Sequence, residues 1–323
     1  METINLLEKK LGLATRDAYG QALLELGKRN SKIVVLDADL SVSTKTALFA
    51  KQFPDRFFNV GISEANMVGM AGGLASSGKI PFISSFSCFL ICKGYDQLRM
   101  AVAVPRANVK MVASHGGISV GEDGVSQQSI EDVALTTSLP GFTVIIPADE
   151  HATRALVNQA AEINGPVYIR TGRPKAPLVH QPDTRFSIGK GVLLRSGKDL
   201  TLVANGLLVF EALAAAEELE AAGVSAAVVD MHTVKPLDEA LLLAQAKATG
   251  AVLVAEEHQS WGGLGSAVAQ ALAKLRPVPM EFVAIQDTYA ESGKPEELFE
   301  KYGLTARHIA QAAQRLLERK TAR

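Results

Sequence analysis

The chain of 323 residues is long enough for about two domains, and 47% hydrophobic and 21% charged residues are typical of a globular protein. Its 33 basic and 34 acidic residues give a formal net charge of -1, which argues against nucleic acid as a partner. No stretch approaches the roughly 20 apolar residues of a membrane span, and the charged segment Met1–Lys10 does not resemble a secretion signal. We therefore expect a cytoplasmic protein that binds no membrane.

Short runs rich in β-branched residues alternate with amphipathic segments in the first half of the chain. These runs predict strands at Lys32–Leu36, Ile80–Ser84, Val109–Ala113, Phe142–Ile146 and Val167–Arg170. Ser63 is predicted to cap a helix that begins at Glu64 and ends at Gly78, and Asp149 to cap the helix of residues 152–163. The alternation indicates an α/β sheet with crossover helices.

The pattern breaks between Thr171 and Gly191, where glycines, prolines and charges indicate a linker, and a second α/β unit follows. Its predicted strands are Leu200–Ala204, Ala226–Val229, Ala251–Ala255 and Glu281–Ile285. An Ala- and Glu-rich segment predicts a helix at Leu207–Ala222 that ends at Gly223. We predict one domain at 1–175, a linker at 176–190 and a second domain at 191–323.

The only two cysteines, Cys88 and Cys92, are four residues apart in an apolar run. Residues at this spacing share one face of a helix, and free cysteines are usually buried. We therefore interpret them as core residues on one face of a buried helix, and not as a disulfide or a metal site.

The segment Ser114–Glu131, SHGGISVGEDGVSQQSIE, is rich in glycine and lacks periodicity. Its glycines allow a ligand to approach the backbone closely. His115 and Asp123 offer a proton carrier and a hydrogen-bond acceptor. Taken alone, the segment is equally compatible with a glycine-rich surface turn and with a binding loop.

Seven motifs, taken together, resemble the transketolase family over essentially the whole chain. The motifs of the pyrimidine-binding domain are GISEANM (61–67), SSFSCF (84–89), GYDQLRM (94–100) and GEDG (121–124). Those of the C-terminal domain are VKPLD (234–238), AEEH (255–258) and ESGKPEELFEKYGL (291–304). The resemblance implies a thiamine diphosphate-binding pyrimidine domain followed by a transketolase C-terminal-like α/β domain.

The resemblance assigns several residues to the cofactor. In the family, the glutamate of a G-x-x-E motif bonds the pyrimidine ring and favours the tautomer that removes the thiazolium proton. Glu64 has this place, although helix dipoles also favour a first-turn glutamate. Phe86 and Phe89 match the aromatics that stack on the pyrimidine, while some members have a third aromatic where this chain has Cys92. Asp39 either approaches the cofactor or caps the following helix.

The family's substrate contacts fall on two groups of residues. His115 and Asp123 match residues that contact the donor ketose, and we expect His115 to be catalytic because a near-neutral pKa suits proton transfer at a carbonyl oxygen. A structural histidine is the alternative. Gln127 lies where some relatives have histidine, and its amide can bond a hydroxyl without carrying protons.

Three further residues match the family's clamp for a sugar phosphate. They are Arg16, Ser43 and Arg173. Guanidinium groups bind phosphate through two parallel hydrogen bonds, so two arginines and a hydroxyl suit a phosphorylated substrate. Each residue alone would be interpreted as a solvated surface group.

The family holds the cofactor's diphosphate through a divalent metal on a G-D-G motif, which this sequence lacks. The resemblance therefore implies an N-terminal partner subunit that binds Mg²⁺ or Ca²⁺, while this chain supplies no metal ligand. We expect a heterotetramer that transfers a two-carbon ketol unit from a ketose phosphate to an aldose phosphate with thiamine diphosphate. The pentose phosphate pathway and a specialised catabolic pathway both remain open.

Two other functions compete with this interpretation. The beta subunit of a 2-oxo acid or acetoin dehydrogenase component has the same domain order, but it is expected to lack the SHGGISVGEDG string and the phosphate clamp. A non-catalytic α/β binding subunit would leave Glu64 idle.

Overall fold

The computed structural model describes residues 10–321, so the expectation drawn from Met1–Lys10 falls, apart from Lys10, outside the described residues. Within the described range, the strands are β1 Leu11–Ala14, β2 Ile33–Asp37, β3 Phe57–Asn59, β4 Ile80–Ser84, β5 Lys110–Ala113, β6 Thr143–Ile145, β7 Val167–Arg170, β8 Lys175–Pro177, β9 Val192–Arg195, β10 Leu200–Ala204, β11 Ala226–Asp230, β12 Thr233–Lys235, β13 Val252–Gln259 and β14 Met280–Ile285.

The helices of the same region complete the architecture. The α-helices are α1 Thr15–Arg29, α2 Ser41–Thr44, α3 Ala47–Gln52, α4 Glu64–Ser76, α5 Gly94–Gln97, α6 Asp132–Ser138, α7 Glu150–Glu162, α8 Leu208–Ala221, α9 Glu239–Thr249, α10 Leu264–Leu275, α11 Pro295–Lys301 and α12 Ala306–Thr321. Two π-helical turns cover Phe89–Lys93 and Leu98–Ala103. Short 3-10 turns cover Pro54–Arg56 and Gly121–Asp123.

The first sheet has seven strands in the order β12–β6–β7–β5–β4–β2–β3. Neighbouring strands from β6 to β3 are parallel, whereas β12 is antiparallel to β6. Side chains alternate between the faces of a strand, so Ile33 and Val35 pack with α1 and α7, while Val34 and Leu36 pack with α4. Helices on both faces explain why these strands are continuously hydrophobic.

The second sheet has the order β14–β13–β10–β11–β9, with only β9 antiparallel. One face packs on α8 and α12. The other face, which includes Val203, Val229 and Val254, joins the same core cluster as α4 and β4 of the first sheet. The two sheets therefore share a hydrophobic core. A separate two-stranded sheet pairs β1 with β8.

Local sequence patterns predicted most of these elements correctly. Every predicted strand overlaps an observed one, and the helix predicted at Leu207–Ala222 is α8. The Asp149 cap is confirmed, because its carboxylate accepts a hydrogen bond from the Ala152 amide at 2.9 Å. The predicted limits of the domains and linker stay predictions. No helix within residues 10–321 is long and apolar enough to cross a membrane.

Two local predictions were wrong. Ser63 precedes α4 at the N-cap position, but its side chain makes no capping hydrogen bond, since its backbone is not in the extended conformation that caps usually adopt. Cys88 is buried as expected, but Cys92 is exposed. The chain winds as a π-helix between them, and the wider turn departs from the α-helical spacing on which the shared face was based.

A strand from the second half of the chain completes the first sheet. Thr233 and Lys235 of β12 pair with Ile145 and Val144 of β6. The Lys235 ammonium donates hydrogen bonds to the carbonyl oxygens of Thr137 and Leu139, both at 2.7 Å. This strand covers an edge of the sheet that would otherwise be open to pairing with another chain.

A buried guanidinium joins the two halves behind the glycine-rich loop. Arg170, at the end of β7, donates to the Glu257 carbonyl at 2.9 Å and to the Ser129 carbonyl at 2.7 Å. Its Nε lies 3.4 Å from an Asp132 carboxylate oxygen, and Tyr168 donates to the same oxygen at 2.5 Å. Burial alone would lower the pKa of Arg170, but the carboxylates of Asp132 and Glu257 raise it above its ordinary value.

Replacing this guanidinium is expected to be costly. R170M leaves the Asp132 carboxylate buried without its positive partner, so the free energy of unfolding should fall by about 3–5 kcal/mol. The matched control is R195M, because Arg195 pairs with the largely exposed Glu220 and its loss should cost less than about 1 kcal/mol. Urea unfolding followed by circular dichroism measures both. Equal losses would mean that Arg170 does not hold the junction.

Candidate active site

The carboxyl ends of the parallel strands of the first sheet meet at one edge and carry the residues singled out from the sequence. In an open α/β sheet this edge is where ligands bind. The residues after each strand are Asp39 and Ser43 after β2, Glu64 after β3, Phe86 and Phe89 after β4, His115, Asp123 and Gln127 after β5, and Arg173 after β7. Arg16 reaches the same edge from the first turn of α1.

Glu64 begins α4 and is only 3% exposed. Its Oε1 accepts a hydrogen bond from the Ser85 hydroxyl at 3.4 Å, and its Oε2 lies 3.8 Å from the Lys93 ammonium. A buried carboxylate is costly unless it is paired or hydrogen-bonded. Lys93 Nζ also lies 4.4 Å from the centroid of Phe89, so the carboxylate and this ring share one cation, and such a carboxylate is suited to bind a ligand nitrogen.

Phe89, Phe86 and His115 form a continuous stack of rings. The centroids of Phe86 and Phe89 are 5.6 Å apart with an interplanar angle of 20°, and those of Phe86 and His115 are 3.7 Å apart at 25°. The backbones of Ser85 and Ser114 continue the pairing of β4 with β5, since the Ser114 amide donates to the Ser85 carbonyl at 3.1 Å. This pairing sets the rings side by side and gives a flat ligand a face on which to stack.

The imidazole of His115 is neutral and has a defined tautomer. Arg16 Nη1 lies 3.4 Å from Nε2, and a guanidinium can only donate, so Nε2 accepts and the proton lies on Nδ1. Nδ1 then donates to the Ser114 hydroxyl at 2.7 Å. Burial, with the charges of Arg16, Arg173 and Lys45, lowers the pKa of His115 to about 3. The near-neutral pKa expected from the sequence was therefore wrong, because the expectation omitted these surroundings.

Two of the three clamp residues contact each other directly. Arg16 Nη1 donates to the Ser43 carbonyl at 3.1 Å, and the neighbouring Lys45 forms an ion pair with Asp17 at 3.2 Å. The contact uses the backbone of Ser43, a half-buried residue, and does not involve its hydroxyl. These residues form a basic patch next to His115.

Arg173 is held by the glycine-rich loop. Its Nη1 donates to the Val120 carbonyl at 2.5 Å and to the Glu122 carboxylate at 3.0 Å. Burial lowers the pKa of Arg16, the nearby charge of Arg173 lowers it further, and Asp123 acts in the opposite direction. The two arginines and Asp123 thus lie within electrostatic range of one another, as the interpretation of a substrate site requires.

Asp39 does not cap the following helix. Leu40 is at the N-cap position of α2, which has no side-chain capping hydrogen bond, and Oδ1 of Asp37 accepts from the Leu40 amide at 2.6 Å. Asp39 instead accepts from the Asn59 side-chain amide at 3.0 Å, and Asn59 in turn accepts from the Gly61 amide at 3.0 Å. The capping alternative was therefore wrong, and Asp39 is tied to the turn that precedes the buried glutamate.

Gln127 lies at the end of the glycine-rich loop, partly exposed. Its side-chain oxygen accepts a hydrogen bond from the Ser126 hydroxyl at 2.5 Å. Its backbone carbonyl is 3.3 Å from the sulfur of the buried Cys88. The amide nitrogen of Gln127 is the group that remains for a ligand hydroxyl.

Backbone strain is concentrated at this edge of the sheet. Among residues 10–321, five residues other than glycine have a left-handed backbone, and Asp39, Lys45 and His115 are three of them. Such a conformation costs of order 1–3 kcal/mol and persists where the surroundings impose it, often at functional sites.

Sequence reasoning missed the residues that hold the loop in place. A Cβ on Gly117 would overlap the Glu257 carboxylate, which accepts a hydrogen bond from the Ser119 amide at 2.6 Å. Burial raises the pKa of Glu257. Ser85, Ser114 and Lys93 were also missed. All lie inside or beside the quoted motifs, which is the signal that could have found them.

The comparisons with known proteins agree along the chain. A family model described as "Transketolase, pyrimidine binding domain" matches residues 12–178, and one described as "Transketolase, C-terminal domain" matches residues 189–309. A putative transketolase C-terminal section from Methanocaldococcus jannaschii is 46% identical over 299 residues, 91% of this chain and 93% of that protein.

Two further relatives are similar over nearly their whole length. The 6-deoxy-6-sulfo-D-fructose transketolase subunit SqwH of Clostridium sp. (strain MSTE9) is 44% identical over 95% of this chain and 96% of its own. A solved structure described as "Split gene transketolase, inactive beta4 tetramer" superposes with a TM-score of 0.90 and 52% identity, covering 96% of this chain and all of that one.

The neutral imidazole of His115 is expected to make the free energy of unfolding depend on pH. In the unfolded chain His115 takes up a proton near pKa 6.5, whereas the folded chain resists protonation down to about 3. Acidification below about pH 6.5 therefore favours unfolding by up to about 1.4 kcal/mol per pH unit. H115Q removes this term, so its free energy of unfolding should fall less than that of the wild type between about pH 7 and about pH 5 in urea titrations. H151Q, at a partly exposed histidine of α7, is the control; identical slopes for H115Q and the wild type would contradict the neutral assignment.

Proposed function

Because the chain belongs to the transketolase family, we propose that it is the subunit of a split transketolase that activates thiamine diphosphate and binds the sugars. The reaction is the transfer of a two-carbon ketol unit from a ketose phosphate to an aldose phosphate. The observation that carries the proposal is the buried Glu64 carboxylate, whose partner Lys93 also lies over the ring of Phe89. Location in the cytoplasm and a place in the pentose phosphate pathway remain predictions.

The residues present fit the aminopyrimidine end of this cofactor. A flat heteroaromatic ring can stack on Phe89 and Phe86 while its ring nitrogen bonds Glu64. Asp39 is hydrogen-bonded to Asn59 of the turn before Glu64, and we propose that it approaches the same ring. Within residues 10–321, no group of three or more His, Cys, Asp or Glu side chains could hold a metal ion.

The diphosphate end therefore needs ligands from elsewhere. We assign them, with the Mg²⁺ or Ca²⁺ that they bind, to an N-terminal partner subunit in a heterotetramer with two copies of each chain. The description of the related structure as an inactive beta4 tetramer supports this, because that assembly contains one kind of chain and lacks activity. The proposal predicts that this chain alone transfers no ketol unit.

When bound, thiamine diphosphate supplies the carbanion and stores the electron pair of the transferred unit. The chain's residues do the rest. Glu64 holds the pyrimidine nitrogen and favours the tautomer that takes up the thiazolium proton. His115 and Asp123 hold the hydroxyls and the carbonyl of the donor, with Gln127 as a further hydrogen-bonding group.

The low pKa of His115 defines its part in catalysis. A neutral imidazole can donate from Nδ1 or accept at Nε2 without carrying a positive charge. We propose that it orients the donor oxygen and passes on a proton only when a substrate group displaces Arg16 from Nε2. The charge of Arg16 is then free for the substrate anion.

Arg16, Ser43 and Arg173 are proposed to bind the terminal anion of the sugar. The charges of Arg16 and Arg173 both act on His115, and guanidinium groups suit a tetrahedral oxyanion. A sulfonate has the same shape as a phosphate, and the name of one relative includes 6-deoxy-6-sulfo-D-fructose. A sulfonated ketose is therefore the second substrate to assay.

The competing functions fit the observations less well. A beta subunit of a 2-oxo acid or acetoin dehydrogenase component was expected to lack the glycine-rich string and the clamp, both of which this chain contains. A non-catalytic binding subunit gives no reason for a buried glutamate at the same sheet edge as stacked rings, or for backbone strain at that edge.

Removing the charge of Glu64 tests the central assignment. In a complex with a co-expressed G-D-G subunit, thiamine diphosphate and Mg²⁺, E64Q should lower ketol transfer to ribose 5-phosphate by at least about 100-fold, because an amide cannot favour the reactive tautomer. E25Q, at an exposed glutamate of α1, is the control and should retain activity. Wild-type turnover by E64Q would favour a non-catalytic subunit.

The clamp is tested by comparing donors. R173M should raise the KM for a ketose phosphate by about tenfold or more, since a charged hydrogen bond is lost, while kcat at saturation changes little. The KM for an unphosphorylated ketose is the internal control and should be unchanged, and a 6-sulfo ketose tests the second candidate. Equal increases for all donors would mean that Arg173 only holds the loop through Val120 and Glu122.

A further inference from the structure

Lys93 lies where the proposed function places the pyrimidine ring. Its Nζ is 4.4 Å from the centroid of Phe89 and 3.8 Å from Oε2 of Glu64. The ammonium is thus shared between the aromatic face and the carboxylate that together are proposed to bind the cofactor. Neither the family resemblance nor the proposed function assigns Lys93 a role in binding or catalysis.

The π-helical turn accounts for this position. Phe89 begins the turn and Lys93 ends it, so one winding of the chain brings the ammonium over the ring. π-helical turns are rare, and they occur frequently at functional sites. The buried Ile91 inside the same turn anchors it to the core that contains α4.

The two partners of the ion pair differ in their freedom to move. Glu64 is held in the core, whereas the Lys93 side chain is 52% exposed. Cation–π contacts and ion pairs at exposed sites are each worth about 1 kcal/mol or less. The Lys93 ammonium can therefore move away from Glu64 at little cost in free energy. If no other group took its place, the buried Glu64 carboxylate would lack a charged partner.

We propose that Lys93 is a displaceable counter-ion of the cofactor site, which pairs with Glu64 and covers Phe89 until the pyrimidine ring takes both positions. The inference rests on the proposed function, because it needs Glu64 to be the pyrimidine ligand. A competitor built into the chain lowers the apparent affinity by the fraction of molecules in which it occupies the site. It also keeps the buried carboxylate paired before assembly with a diphosphate-binding subunit.

Affinity measurements distinguish a competitor from a ligand. In the complex with the G-D-G subunit, K93M should bind thiamine diphosphate in the presence of Mg²⁺ about two- to fivefold more tightly than the wild type, by titration calorimetry. K93R keeps the charge and should bind like the wild type. K79M removes an exposed lysine just beyond α4 and controls for the change in net charge. Equal or weaker binding by K93M would overturn the proposal.

A second measurement uses the unaltered chain. Amine acetylation followed by peptide mass spectrometry reports how freely each lysine reacts. Addition of thiamine diphosphate and Mg²⁺ to the complex should increase the acetylation rate of Lys93, because displacement frees its ammonium, and should leave that of Lys79 unchanged. A slower reaction at Lys93 would show that it contacts the bound cofactor, and this result would also overturn the proposal.

Titration calorimetry of E64Q with thiamine diphosphate and Mg²⁺, together with the ketol-transfer assay, separates this inference from the proposed function. If E64Q binds and turns over normally, the proposed function fails, whatever the behaviour of Lys93. If E64Q loses activity while K93M binds no more tightly than the wild type, only the counter-ion role fails.

Discussion

The candidate site depends on one buried cation. Arg170 is removed from water at the end of β7, and its desolvation is offset by Asp132, by two backbone carbonyls and by the field of Glu257. These partners come from the loop after β5, from the helix that follows the loop and from β13 of the second sheet. A single guanidinium therefore fixes the backbone of the glycine-rich loop, and it couples this backbone to the second sheet.

Charge balance explains the remaining geometry. The edge of the first sheet brings Arg16 and Arg173 within electrostatic range of a neutral His115, and it also carries the buried Glu64 carboxylate with its partner Lys93. A ligand with an anionic end and a nitrogen-containing flat ring finds complementary partners at both ends. Phe86 stacks both on His115 and on Phe89, so this one ring contacts a residue of each group.

Local sequence patterns were sufficient to predict the helices and strands, but not the charge environment of the site residues. The spacing of hydrophobic residues predicted β10 and α8, because a strand or helix that is buried on one or both faces has hydrophobic residues at regular positions. Motif order brought Glu64 and His115 to one edge correctly, but the pKa of His115 depends on Arg16, which is 99 residues away. Arg170 was interpreted only as the end of a strand, since the residues next to it in the sequence do not indicate that it binds a residue in the second half of the chain. The π-helical turn was missed because no composition rule distinguishes it from an α-helix.

The strand that β12 adds to the first sheet has a consequence for motion. A hinge between the two halves would have to break the hydrogen bonds of β12 with β6, among them the one from the Ile146 amide to the His232 carbonyl at 2.7 Å. The continuous segment from Thr171 to Gly191 is therefore a tether and not a pivot. Opening and closing of the site by rigid-body rotation of the halves is suppressed, so we expect ligands to enter and leave through changes in the loops.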